Sequence, residues 1–273
     1  MMRLMKLIYG LFFCLNARAQ LSHIVSETAY MSSGAYSKHF TDAFSFASNP
    51  ACLGTIQSFR SGILAERKWM LKELDSYELA ASFRLGNGGC GIAMHYSGDA
   101  DYYEQELSLG YGKNLGHLQL GVSFSYLTAR SAGYGGTGFG YSGIGICFPV
   151  SEKLIAGWEI GLPVFSIAGK TNQEKGPEFI KMGFGYESRP DLFLSLQIEK
   201  ASGLPVNVIA YIEYRYSEQF FLAFGINSLA GSPYFKSGWK KNNLCIQIYT
   251  MYEPVLGFCP GLVFFIEGKS KKG

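Results

Sequence analysis

The sequence predicts an all-β chain closed into one transmembrane antiparallel β-barrel of about fourteen strands, an expectation that rests on three observations. Apolar and polar residues alternate with a period of two through most of the chain, short clusters of Gly, Asn, Asp and Pro cut that alternation at hairpin intervals, and charge is sparse. Of 273 residues only 16% are charged, with a net charge of +3, Gly 34, Tyr 18 and Phe 21. That balance gives nucleic acid no electrostatic footprint. Mean hydropathy is +0.08. Beyond the N-terminus no apolar run of about 18 residues occurs, so helical spans are not expected.

The alternation is plainest in Leu118-Gln119-Leu120-Gly121-Val122-Ser123-Phe124-Ser125-Tyr126, where every second side chain is bulky and the others are small or polar. Tyr77, Leu79, Ala81, Phe83 and Leu85 repeat it, with Glu78, Ser82 and Arg84 between them. The turn signal Asn87-Gly88-Gly89 separates that run from Ile92, Met94 and Tyr96, and Leu107, Leu109 and Tyr111 follow. Candidate strands fall at 57–68, 76–86, 89–98, 102–112, 117–129, 137–148, 153–163, 178–188, 191–200, 205–216, 219–227, 233–240, 243–252 and 256–267. Most are near the roughly 9–11 residues that a tilted strand needs to cross a bilayer. Short turns are expected at Ser188-Arg189-Pro190-Asp191, Ser217-Glu218 and Lys241-Asn242-Asn243. Longer connections at 131–136 and 166–177 read as extracellular loops, with the polar stretch 168–176 mobile.

The N-terminus is a targeting segment. Arg3 and Lys6 precede an apolar core from Leu7 to Leu15, and Ala17-Arg18-Ala19 offers small residues for cleavage before Gln20. Residues 1–19 therefore read as a secretory signal, and Phe13 before Cys14 argues against a lipoprotein. Of 6 cysteines, Cys52, Cys90, Cys147, Cys245 and Cys259 remain after cleavage. Their odd number and wide spacing fit small apolar fillers, with a single disulfide left open and no zinc site.

Residues 20–56 differ from the ladder. A Ser-rich stretch tightens into Phe40-Thr41-Asp42-Ala43-Phe44-Ser45-Phe46-Ala47-Ser48-Asn49-Pro50-Ala51-Cys52-Leu53-Gly54. Four large apolar side chains, Phe40, Phe44, Phe46 and Leu53, are too many for a free tail, so one or two helical turns packed against the domain are expected. Asp-Ala-Phe-Ser…Asn-Pro-Ala-x-Leu between a signal segment and a strand ladder resembles the N-terminal region of the long-chain fatty-acid transporter superfamily of outer-membrane barrels. It is also similar to their relatives in Bacteroidota, the accessory barrels of type IX secretion. The residues that match are Asp42, Ala43, Phe44, Asn49, Pro50, Ala51 and Leu53, with Cys52 where Gly is usual. The resemblance implies that residues 20–56 form a plug or hatch, with Asp42, Phe44, Phe46, Asn49, Pro50, Ala51 and Leu53 as its motif, inside a 14-stranded barrel. It further implies either a channel or binder for hydrophobic small molecules, or a non-transporting scaffold that docks a secreted or periplasmic protein.

Residues 57–268 then form the barrel and 269–273 a basic tail. Leu192, Leu194, Leu196 and Ile198, then Val206, Val208, Ala210, Ile212 and Tyr214, then Phe220, Leu222, Phe224 and Ile226 make an outward apolar face toward lipid. Tyr77, Tyr96, Tyr111, Tyr126, Tyr186, Tyr214 and Tyr216 fall near strand ends, as an interfacial girdle requires. Periodicity alone also allows a soluble barrel or sandwich with the apolar face inward. Strand count and length, tyrosine placement, export and low charge favour the bacterial outer membrane. The inward face would carry Glu78, Arg84, Glu106, Glu159, Lys181, Glu199, Glu213 and Arg215, with His95, Glu104, Glu187, Lys236, Lys240 and Glu267. Charges inside need partners, so an ion-pair network around the N-terminal segment is expected, or else a polar route for a solute. No hydrolase, metalloprotease, calcium-loop or P-loop motif occurs, and His95 with Ser97 and Asp99 imitates a catalytic set only weakly. The sequence points away from an enzyme and from any cofactor.

Overall fold

The computed structural model describes residues 34–167, 176, 178–229 and 231–268. The expected signal segment, residues 20–33 of the N-terminal stretch, the basic tail and loop residues 168–175 lie outside the described residues.

Fourteen antiparallel strands close into one barrel in sequence order. They are β1 (Arg60–Arg67), β2 (Asp75–Leu85), β3 (Gly88–Gly98), β4 (Tyr102–Asn114), β5 (Gln119–Ser131), β6 (Gly135–Pro149), β7 (Leu154–Ile167), β8 (Phe179–Arg189), β9 (Leu192–Ala201), β10 (Asn207–Arg215), β11 (Phe220–Asn227), β12 (Ser232–Lys241), β13 (Leu244–Glu253) and β14 (Gly257–Glu267). Closure is made by β1 against β14, from Arg60↔Glu267 to Glu66↔Gly261. An Arg60–Glu267 ion pair of 3.1 Å and a Gly268 N–H donated to the Phe59 carbonyl at 2.6 Å secure the seam. A closed ladder leaves no sheet edge, which is the condition for strands in hydrocarbon.

Burial confirms the side-chain alternation. Along β9, Leu194, Leu196 and Ile198 are exposed on the outside while Phe193, Ser195, Gln197 and Glu199 are buried inside. Along β11, Leu222 and Phe224 are outside, Ala223 and Asn227 inside. A soluble sandwich would show the opposite, because water would drive the large apolar face inward. Tyr111, Tyr186, Tyr214 and Tyr216 ring the end where β1 begins and β14 finishes (the terminal end), and Tyr77, Tyr96 and Tyr126 lie toward the other.

Three local expectations are corrected. The β2–β3 turn is Gly86-Asn87, with Leu85 paired to Gly88, and not Asn87-Gly88-Gly89. Gly86 takes φ +57, the left-handed value that a Gly-X hairpin loop needs at its first central residue. The 131–136 connection is a three-residue hairpin tip, because Ser131 and Gly135 still pair and small glycines extend β6 beyond the apolar run. The first strand starts at Arg60 and not at 57, since residues 57–59 are spent leading the chain from the lumen to the wall.

Residues 34–56 lie inside the barrel. They form two 3-10 helices, Ser45–Ala47 and Pro50–Thr55. Asn49 caps the second, its side chain accepting from the Ala51 N–H at 3.0 Å, and Pro50 follows at the first helical position, where no N–H is needed.

Candidate functional site

The lumen is built around that internal segment, which makes a circuit of the wall at the terminal end. Tyr36 lies against Gly157 of β7 and Gly183 and Gly185 of β8. Phe40 stacks on Phe193 of β9, ring centroids 4.9 Å apart. Phe44 meets Phe265 of β14 edge-on at 5.4 Å. Phe46 and Leu53 lie against Gly110 of β4, where an added methyl would come within 2.9 Å of Leu53. At Gly112 it would lie 2.7 Å from the Pro50 carbonyl oxygen, and at Gly121 and Gly145 it would collide with Pro50 and Asn49. Inward glycines are thus a seat for this chain, since only a wall without Cβ atoms admits a backbone so closely.

Each motif residue has a definite place. Phe44, Phe46, Ala51 and Leu53 are buried, with Phe44 at 0% exposure. Phe44, Phe46, Cys52 and Leu53 join Leu64, Ala80, Val263 and Phe265 in one apolar cluster. Burying each large side chain contributes on the order of 1.5–3 kcal/mol. Asn49 donates to the Ile146 and Trp158 carbonyls at 3.3 and 3.1 Å, which fastens the segment to β6 and β7. The Asp42 carboxylate accepts from the Phe44 and Ser45 N–H groups at 2.9 and 3.0 Å and from the Ser45 hydroxyl. Burial pushes the Asp42 carboxyl up from the ordinary carboxylate range, against the pull of Lys236, these hydrogen bonds and Arg60. Arg60 donates to the Thr41 carbonyl at 2.7 Å.

Of the inward polar set, Glu78, Glu106, Glu159, Lys181, Glu199, Glu213 and Arg215 face the lumen. Arg84 does not join them. Although its parity is inward, it sits one residue from the turn, where its guanidinium is exposed and donates to Gln57 at 3.3 Å. Lys181 pairs with Glu159 at 3.1 Å and donates to the Ala47 carbonyl at 3.0 Å. Asn207 and Gln197 donate to Glu199 at 2.7 and 3.2 Å. Glu213 holds Lys236 and Arg215, each at 3.4 Å, and accepts from the Tyr211 hydroxyl. Glu106 accepts from Ser108 at 2.8 Å and from Tyr141. His95 faces Glu78 at 3.9 Å, while Asp99 caps its own turn, accepting from the Asp101 and Tyr102 N–H groups. The five described cysteines are free thiols.

Sequence reasoning missed three features. Tyr36, fully buried, was hidden in the Ser-rich stretch; the inward glycines Gly183 and Gly185 were its signal. Glu187 receives the Ser37 hydroxyl at 2.7 Å, the Lys38 N–H at 2.6 Å and His39 Nδ1 at 2.5 Å, a clamp from β8 on the start of the segment. A chamber of about 1000 Å³ opens at the terminal end beside Phe40–Ala43, lined by Phe193, Tyr211, Phe221, Phe265, Lys236 and Arg215 among others. The Arg215 guanidinium covers the Phe40 ring at 3.7 Å, and Lys236 lies 4.9 Å from the Tyr211 ring. Aromatic rings and charged groups therefore share the lining, since Asp42, Arg60, Glu213, Lys240 and Glu267 face the chamber as well as Lys236 and Arg215.

Glu187→Ala should release the clamp and leave the barrel closed. Losing charge-assisted bonds of this kind costs about 1–3 kcal/mol. Hydrogen exchange at the Lys38 and His39 amides should quicken on the order of tenfold, with strand amides unchanged; equal exchange would mean the clamp contributes nothing.

No protein-family model matches the chain, and no curated protein matches it. Its fold is similar to solved outer-membrane barrels. The CymD monoaromatic hydrocarbon channel superposes with a TM-score of 0.60 at 11% identity, covering 87% of this chain and 97% of that one. The Pseudomonas putida toluene transporter TodX gives 0.57 at 10%, covering 88% and 96%. The Acinetobacter baumannii outer membrane protein Omp33 gives 0.52 at 5%, covering 78% and 99%. At such identities the likeness is one of fold.

Proposed function

We propose that this chain is an outer-membrane channel for small hydrophobic molecules, exported by residues 1–19 and plugged by residues 20–56. The observation that carries the reading is the chamber of about 1000 Å³ inside a closed barrel with an apolar exterior, where Phe40, Phe193, Tyr211, Phe221 and Phe265 gather on a wall that also carries charged groups. Flat rings such as Phe40, Phe193, Tyr211 and Phe221 give an apolar guest contact area at little entropic cost. The monoaromatic hydrocarbon channel and the toluene transporter among the similar folds support the same substrate class. The lumenal ion pairs then serve to hold the plug, since Lys181 and Arg215 both spend donors on its backbone carbonyls.

Toluene titrated into the refolded protein should bind saturably by calorimetry, and Phe193→Asp should abolish the heat. Absence of saturable binding to the parent protein would sink the substrate class. A second reading, a non-transporting scaffold of the type IX accessory kind, draws on the short far-end connections: residues 99–101, 132–134 and 254–256 offer little chain for capturing a solute from outside. It expects no toluene heat and a secreted or periplasmic protein bound instead.

A further inference from the structure

The rim opposite the terminal end is uneven. β6 and β7 run 15 and 14 residues, whereas β1 has 8. A tilted strand needs roughly 9–11 residues to cross hydrocarbon, so the wall at β1 is too short. Beside it the tips expose large apolar residues, although Lys68, Lys72 and Glu73 share the β1–β2 connection. Met70 and Leu71, between β1 and β2, are 63% and 49% exposed, and Val255 and Leu256, between β13 and β14, are 91% and 51% exposed. The two tips are neighbours, because β1 pairs with β14 and the Trp69 N–H donates to the Cys259 sulfur at 3.4 Å. Trp69 and Met70 both adopt left-handed backbone, φ 50 and 62, which side chains rarely accept in succession. The exposed apolar column of β14, Ile266, Phe264, Leu262 and Phe258, ends two residues from Leu256 in the chain. The next tip along the rim, between β3 and β4, is Asp99-Ala100-Asp101 and folds its polar groups on itself.

We infer that Met70, Leu71, Val255 and Leu256 insert among lipid acyl chains and complete the apolar belt where β1 is too short. The inference rests on the reading that the barrel is embedded in a membrane. Continuity with the belt identifies lipid as the occupant, and a protein partner would give the opposite result below.

Three single-tryptophan proteins, refolded into vesicles of phosphatidylcholine brominated on its acyl chains, test it. One keeps only Trp158, on the outside of β7; the others carry Val255→Trp or Asp101→Trp in a background with Trp69, Trp158 and Trp239 changed to Phe. Emission from the Val255→Trp protein should be quenched as strongly as that of Trp158, and emission from the Asp101→Trp protein should not. If the Val255→Trp protein is quenched no more than the Asp101→Trp protein, the tips lie in water or await a protein, and the inference fails. If Trp158 itself escapes quenching, the membrane reading falls with it. Should the altered background not refold, a lipid-phase diazirine label on the unaltered protein answers the same question: modification at Val255 and Leu256 supports insertion, and modification confined to the strands overturns it.

Discussion

Deleting residues 20–48 should turn the barrel into a leaky pore. The deletion removes Tyr36, Phe40, Phe44 and Phe46, which are buried against strands around the wall. Side chains fill the interior of a barrel of about eight strands, but a larger ring leaves space that something else must occupy. Here the space is greater than strand number alone implies, because Gly157, Gly183 and Gly185 withhold side chains where Tyr36 sits. The short remnant from Asn49 to Thr55 covers only the β3–β7 side. Assembly should survive, since the strand ladder pairs without the segment, while the loss of four large buried groups at roughly 1.5–3 kcal/mol each lowers stability. Dye efflux from vesicles and single-channel conductance report the leak. Gly121→Leu, which would drive a side chain into Pro50, should reproduce part of it in the full-length chain. Unchanged permeability together with loss of a bound protein would favour the scaffold reading, and unresisted proteolysis back to Ile56 would exclude a seated plug.

The barrel was legible because its grammar is local. All fourteen expected strands are present with small shifts at their ends, since alternation between facing lipid and facing the lumen marks every second residue whatever the neighbours are. The turns were less so. Asn-Gly is a strong hairpin cue, yet Gly86 could take the left-handed position one residue earlier, and the pairing of Leu85 with Gly88 decided in its favour. The strand extensions of β5 and β6, meeting at Ser131↔Gly135, were masked by glycine and polar residues, which weaken a strand signal without preventing pairing.

The interior was legible in outline only. Four apolar residues between a polar stretch and a ladder indicated burial, and Phe40, Phe44, Phe46 and Leu53 are buried. Their partners could not be read, because the contacts span great sequence distance: the Ser37 hydroxyl and Glu187 are 150 residues apart. Arg84 shows the limit of parity as a guide. Side-chain direction follows from strand position, but enclosure follows from distance to the rim, which alternation does not encode. The chamber is of the same kind, since Phe193, Tyr211 and Phe221 on neighbouring strands meet Phe265 of β14 and the Phe40–Ala43 stretch only when the ring closes around the segment.

Leu196→Arg should block assembly where Gln197→Arg does not. Leu196 lies mid-strand on β9, facing outward between Phe184 of β8 and Ala210 of β10. A guanidinium there meets hydrocarbon with no partner in reach, at a cost of roughly 2–4 kcal/mol near the midplane. That is a large share of the 5–15 kcal/mol typical of a folded domain. One residue on, Gln197 faces the lumen, is hydrogen-bonded to Glu199, and shares that wall with Glu159. Two carboxylates stand near one ammonium, Lys181, so an added guanidinium gains a counter-charge and loses only some packing. Heat-modifiable mobility after refolding into vesicles separates the outcomes, with Gln197→Arg retaining the compact band and Leu196→Arg losing it. The reverse ranking would place the apolar face inside and water outside, and the barrel would not be a membrane protein.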